Sequence, residues 1–172
     1  MNTQIEIETF GNVVGFPNYQ VSTFGNVKNV KTGRILKPSI GSDGYYIVKL
    51  YNDDVKVTKR IHKLIALTFL ENPDDKKCVD HVDRNSKNNH ISNLRWATYV
   101  ENSQNASIKS SNTSGIAGIS WYKKTNKWHA RIQVNGVQKH LGYFENKDDA
   151  ITARTNAEIL YFGDFRAVNQ VV

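Results

Sequence analysis

Hydrophobic and polar positions change period several times along this 172-residue chain. Short alternating runs come first. Tyr19-Gln20-Val21-Ser22 alternates, and Phe24-Gly25-Asn26-Val27 follows a turn. Residues 44–50 form the clearest strand, with Asn52-Asp53-Asp54 as its turn and Val55-Lys56-Val57 as its return. Ile61, Leu64, Ile65 and Phe69 then fall at helical spacing, and Asn72-Pro73 stops that helix. Residues 103–114 are small and polar with no apolar period, which predicts a linker. Two further strands, 128–134 and 138–144, flank Asn135-Gly136, a two-residue hairpin signal. Asn146 is placed to cap a last helix, with Asp148 and Asp149 in its first turn. Ala150, Ala153, Ala157 and Leu160 make its apolar stripe, and Gly163 suits its end.

The pattern gives an α+β chain. Its expected parts are a β-rich module over 1–60, a central core with a preceding helix over 61–102, a linker over 103–113, and a three-stranded sheet packed on one helix over 114–168.

Composition adds a partner class. The net charge is +7, which favours a polyanion. Residues 112–144 hold five Lys/Arg and no acid, so a basic face is expected there. The single cysteine, Cys78, rules out an internal disulfide and a multi-cysteine zinc site, and its neighbour Val79 suggests a buried thiol on a strand. The N-terminus has no apolar run, and the longest apolar stretch, 64–70, is too short to span a bilayer. The expectation is an intracellular protein that is not secreted and does not engage membranes.

The chemistry concentrates in residues 80–102. Asp80-His81 is followed by Asn93 and Asn102. A carboxylate and an amide oxygen can hold a hard cation such as Mg²⁺. An adjacent imidazole can take a proton from water near neutral pH. Neighbouring strand residues face opposite ways, so Asp80 and His81 can share a site only where the strand ends or bends. The Asp83-Arg84-Asn85 turn makes that possible. The nine-residue spacing from Asn93 to Asn102 would put them on opposed sides of one helix, so Asn93 is expected ahead of the helix as a loop or cap residue.

Asp80-His81, Asp83, Asn85, Asn88-Asn89, Asn93-Leu94-Arg95-Trp96 and Glu101-Asn102 together resemble the HNH nuclease signature of phage and intron-encoded homing endonucleases. The resemblance implies a ββα-metal core, His81 as general base, and Asp80 and Asn102 as ligands of one Mg²⁺ or Mn²⁺, with no zinc. It gives Asn93 a positional role, either orienting His81 or bracing the loop between strand and helix.

Two flanking resemblances extend the picture. Gly15-Phe16-Pro17-Asn18-Tyr19-Gln20-Val21-Ser22, Gly25-Asn26-Val27, Leu36-Lys37, Gly44-Tyr45 and residues 61–66 resemble the NUMOD4 module, with Phe10 where that family has Trp. Ser114-Gly115, Gly118-Ile119, residues 128–132, residues 141–144, Ala150 and Asn156-Ala157 resemble an AP2 DNA-binding domain. The whole then implies a site-specific homing endonuclease acting on double-stranded DNA as a monomer or weak dimer, by nicking or by double-strand cleavage.

Candidate DNA contacts are Trp121, Lys123, Lys124, Lys127, Arg131, Gln133 and Lys139 on the last sheet, with Arg95 and His90 beside the core. The lysines suit phosphates, while Arg131 and Gln133 share one strand face and could read bases. Trp128 is expected in the core under the helix, and Trp96 as core or a wall against the DNA backbone. His62 suits a partly buried place or a phosphate contact. His129 and His140 fall in the same sheet without further metal ligands. Two alternatives are a DNA-binding regulator with a decayed nuclease core and an RNA-directed nuclease. The four residues Asp80, His81, Asn93 and Asn102 argue against the first, and the lack of a single-strand stacking platform argues against the second.

Overall fold

A computed structural model describes residues 6–105 and 112–166. The chain divides into two compact units, one running to Thr98 and one beginning at Tyr99. Among the described residues, no helix is long and apolar enough to cross a membrane.

The first unit holds two three-stranded antiparallel sheets, a helix and a two-stranded ribbon. One sheet joins β1 (Phe10–Asn12), β2 (Tyr19–Ser22) and β3 (Val27–Asn29) in that order. The other joins β4 (Ser39–Ile40), β5 (Tyr46–Asn52) and β6 (Val55–Arg60). Val48 and Leu50 point inward while Lys49 points out, as a half-buried strand requires. Asn52 pairs with Val55 across a two-residue turn. Asp53 and Asp54 both take left-handed backbone there, at φ 46° and 66°, the geometry that matches strand twist in a tight hairpin.

Helix α1 (Ile61–Phe69) follows β6 directly and buries Ile61, His62, Leu64, Ile65 and Ala66. The ribbon pairs β7 (Cys78–His81) with β8 (Leu94–Ala97). One core takes in Val21 and Val27, Val48 and Leu50, Leu64 and Ile65, and Val79 and Leu94. That core runs across position 60, where the sequence suggested the first module would end. The reason is that β5 and α1 share their buried faces with the ribbon. Cys78 is half-buried at the start of β7.

The second unit starts with a short helix, α2 (Tyr99–Gln104). Its sheet places β10 (Lys127–Val134) between β9 (Ile119–Tyr122) and β11 (Val137–Phe144). Asn135 and Gly136, at φ 50° and 80°, turn the second hairpin. Helix α3 (Lys147–Phe162) covers one face and packs its Ala150 and Ala157 near Ala130 and Ile132. Trp128 is half-buried in the same layer.

Two details of α3 differ from the sequence reading. Leu160 is 74% exposed, and the buried stripe runs instead through Arg154 and Glu158 to Phe162. Arg154 can turn inward because Glu158 accepts from its Nε at 2.8 Å and the Arg131 carbonyl accepts from its Nη1 at 2.8 Å. Asn146 occupies the cap position without a side-chain cap bond, and Gly163 ends the helix at φ 52°. Most of the expected linker, residues 106–111, lies outside the described residues.

Candidate active site

Strand β7 ends at His81, and the backbone turns at once: the Arg84 amide donates to the His81 carbonyl at 2.8 Å. Arg84 takes left-handed backbone at φ 62°. The strand therefore stops where the sequence reading needed it to stop. Asp80 and His81 are both buried, each 5% exposed.

Asp80 faces Arg95 across the ribbon. Arg95 donates to Asp80 Oδ2 from Nε at 2.8 Å and from Nη2 at 2.7 Å. A nearly dry carboxylate is costly unless a cation accompanies it, and this guanidinium supplies the charge. The carboxylate that the motif assigns to a metal is thus engaged by an arginine that the sequence reading assigned to DNA.

His81 pairs with Leu94 in the ribbon register, so its ring turns to the other side. Its Nε2 lies 3.1 Å from Asn89 Oδ1. With the amide so oriented, an acceptor facing Nε2 holds the proton on that nitrogen and leaves the lone pair on Nδ1. Two more rings meet His81. His62 lies 5.0 Å away between ring centroids and nearly perpendicular, and Tyr45 lies 5.8 Å away and roughly parallel. His62 and Tyr45 touch each other at 4.7 Å. Burial pushes the His62 imidazole down to about 3, with repulsion from His81, Arg60 and Lys63 adding to it and Asp43 opposing.

Asn93 ends a 3₁₀ turn, Ile91–Asn93, just before β8. Its side chain closes the loop rather than touching His81. Its Oδ1 accepts from the Asp83 amide at 3.0 Å, and its Nδ2 donates to Asp83 Oδ1 at 2.9 Å and to the Asn88 carbonyl at 2.8 Å. Asn88 Nδ2 also donates to Asp83 Oδ2 at 2.7 Å. Burial raises the Asp83 carboxyl, but bonds from Asn88, the Asn85 amide and Asn93 outweigh it, so its pKa is lowered. Of the two roles the motif left open for Asn93, this geometry corresponds to bracing the loop.

The β1–β3 sheet supports the same loop. The Ile91 amide donates to the Thr23 carbonyl at 2.8 Å. Gly25, at φ 93°, lets the backbone come so near that an added Cβ would meet Asn89 Cβ at 3.1 Å. Asn102 lies on α2, in the second unit. Among the described residues, no group of three His, Cys, Asp or Glu could hold a metal ion.

The DNA candidates divide between surfaces. His90 is 3.0 Å from Glu6 Oε2, and its Nδ1 is 2.7 Å from Ser92 Oγ. On the last sheet, Arg131 and Gln133 are exposed on the face away from α3. His129 and His140 share that face, with Nε2 and Nδ1 2.9 Å apart, and Tyr122 and Tyr143 pack around them. Lys123 and Lys124 are exposed in the β9–β10 turn. Lys127 sits 3.6 Å from Glu145. Trp121 pairs with Trp128 in the register and meets its ring nearly perpendicularly at 5.3 Å, on the helix side. Lys139 is also on the helix side, opposite Ile132, with its ammonium 5.2 Å from the Tyr161 ring.

Sequence reasoning missed Asn89, His62 and Tyr45 as partners of His81. Asn89 belonged to the quoted motif but had no role in it. Only the fold brings Tyr45 and His62, from β5 and α1, against a histidine on β7.

Residues 8–51 match the NUMOD4 motif, and residues 59–104 match the HNH endonuclease family. DNA endonuclease I-HmuI of Bacillus phage SP01 is 35% identical over 126 residues, covering 71% of this chain and 70% of that protein. The chain belongs to the HNH endonuclease family. An HNH endonuclease of Acanthamoeba polyphaga mimivirus is 44% identical over 97 residues, 55% of this chain, which spans only 24% of that relative's length. A solved structure of DNA binding and cleavage by the HNH homing endonuclease I-HmuI superposes with a TM-score of 0.55 at 27% identity, covering 90% of this chain and 91% of that one.

Proposed function

We propose that this chain is a homing-type DNA endonuclease that hydrolyses a phosphodiester with His81 as general base. The observation that carries this reading is the His81 ring at the end of β7, with its Nε2 3.1 Å from Asn89 Oδ1, an acceptor that favours the proton on Nε2. Nδ1 is then the nitrogen that takes a proton from the attacking water. The Asn93–Asp83–Asn88 network keeps the turn after His81 in one shape.

The donor set suits a hard divalent cation. The HNH resemblance assigns the carboxylate oxygen of Asp80 and the amide oxygen of Asn102 to the ion, and these donor types would suit Mg²⁺ or Mn²⁺. Such an ion, when bound, supplies charge shielding at the phosphate and at the departing 3′ oxygen. Asp80 would hold the cation in competition with its bond to Arg95, whose guanidinium would suit a DNA phosphate. One carboxylate and one amide make a sparse cage, so DNA phosphates and water complete the shell and the free protein binds the ion weakly.

The β9–β11 sheet with α3 supports the AP2-like reading of residues 114–168. Arg131, Gln133, His129 and His140 give it a polar, partly basic open face for double-stranded DNA. Lys123 and Lys124 at its rim suit phosphates. The module over 1–60 would position the core on a long target, acting as a monomer or weak dimer in the intracellular space.

A second reading, a DNA-binding regulator with a silent core, draws on the Asp80–Arg95 pair, which resembles a neutralised structural carboxylate. Incubating supercoiled plasmid with the full chain and Mg²⁺ or Mn²⁺ separates the two. Nicked or linear product that depends on the ion supports the nuclease. Sequence-selective binding with no product under either ion supports the regulator.

A further inference from the structure

We infer that His62 is a positioning residue for His81, setting the plane of the catalytic ring together with Tyr45. The inference rests on the reading of His81 as general base. His62 is the second residue of α1, directly after β6, and only 3% of it is exposed. Its backbone is fixed by the first helical turn and by buried neighbours Ile61, Leu64 and Ile65. The ring meets His81 nearly perpendicularly at 5.0 Å and Tyr45 at 4.7 Å, and Tyr45 lies roughly parallel to His81 at 5.8 Å. The three rings enclose one another, so His81 cannot rotate about χ2 without displacing one of them. Asn89 holds Nε2 from one side, and the two rings hold the plane.

The chemistry of the position points the same way. His62 Nδ1 is buried and has no hydrogen-bond partner among the described residues. An unpaired buried nitrogen is destabilising, and an apolar side chain of similar size would avoid it. The ring is also uncharged at neutral pH, because burial comes first among the causes that push it down to about 3, followed by His81, Arg60 and Lys63. A neutral ring packs against a base without adding a second positive charge beside it.

Single-turnover cleavage by the full chain tests this, with plasmid or its mapped target as substrate. His62→Ala is expected to lower the cleavage rate tenfold or more with DNA affinity unchanged, since small misplacements of a reacting group cost large factors. His62→Phe, which restores a ring without nitrogens, is expected to recover most of that loss and to keep or raise Tm. Tyr45→Leu, at a half-buried site, is expected to give a smaller loss of the same kind and serves should His62→Ala not fold. Cleavage at the parental rate by folded His62→Ala or by Tyr45→Leu overturns the inference, as does a His62→Phe rate no better than His62→Ala. His81→Ala is the control: if it cleaves at the parental rate, the reading of His81 fails and not merely the role of His62.

Discussion

Asp80 and Arg95 lie opposite each other in the β7–β8 ribbon, and both the Nε and Nη2 of Arg95 donate to the same carboxylate oxygen. The Asp80 side chain is only 7% exposed and that of Arg95 20%, so water screens the pair little. Under the proposed metal role of Asp80, an incoming cation would compete with this guanidinium.

Replacing Arg95 by Met should therefore act in two directions. The fold should lose about 3 kcal/mol, because a buried carboxylate is left without its partner. Divalent-ion affinity in the presence of uncleavable DNA should rise, because the competing cation is gone. Thermal unfolding and calorimetric titration with Mn²⁺ check both, and an unchanged or weaker ion affinity would count against Asp80 as a ligand.

Asn89 should matter through the tautomer of His81. Asn89→Leu removes the acceptor facing Nε2, so the proton can move to Nδ1 and block the base. Cleavage should slow by about tenfold to a hundredfold, within the usual worth of general-base catalysis, while DNA binding holds. Nitrogen-15 shifts of the His81 ring should show the Nε2-protonated form in the parent and a mixed population in the variant.

Acid should unfold the first unit early, and His62 is one cause. Its folded pKa, about 3, lies below the ordinary 6.5. The unfolded state thus binds more protons between those values, and stability falls as pH drops from about 6.5 toward about 3. Chemical denaturation across that window should show the slope, and His62→Phe should flatten it. A slope that His62→Phe leaves unchanged would place the proton uptake elsewhere.

DNA binding by the last sheet should strengthen as pH falls below neutral. Burial first, then His140 and Arg131, lower the His129 pKa from the ordinary 6.5. A nearby phosphate favours the protonated ring, so binding takes up a proton and affinity rises as pH falls. Fluorescence anisotropy at fixed salt should show this for the parent, and His129→Gln with His140→Gln should remove most of it. Arg131→Ala should weaken binding at every pH.

The hairpins and helices were legible because local chemistry decides them. Asp53-Asp54 and Asn135-Gly136 accept left-handed backbone, and Ile61, Leu64 and Ile65 repeat at helical spacing. Asp80, His81 and Asn93 were legible as a spaced motif. What the motif did not carry was partnership across elements. Arg95 pairs with Asp80 through ribbon register, which depends on where β8 begins. Tyr45 and His62 reach His81 only after β5 and α1 pack on β7. Lys139 falls opposite Ile132 in the register counted from the Asn135-Gly136 turn, and that puts it on the helix side. Leu160 faces out, against its place in the alanine stripe, because the inner face of α3 runs through the buried Arg154–Glu158 pair.

The most direct test is the single-turnover rate on a mapped DNA target with Mg²⁺, comparing the parent with His81→Ala at equal DNA occupancy. The expected result is cleavage by the parent and a loss of at least about a hundredfold in the variant, with the fold and DNA affinity intact. A His81→Ala protein that cuts as fast as its parent would contradict the account at its centre.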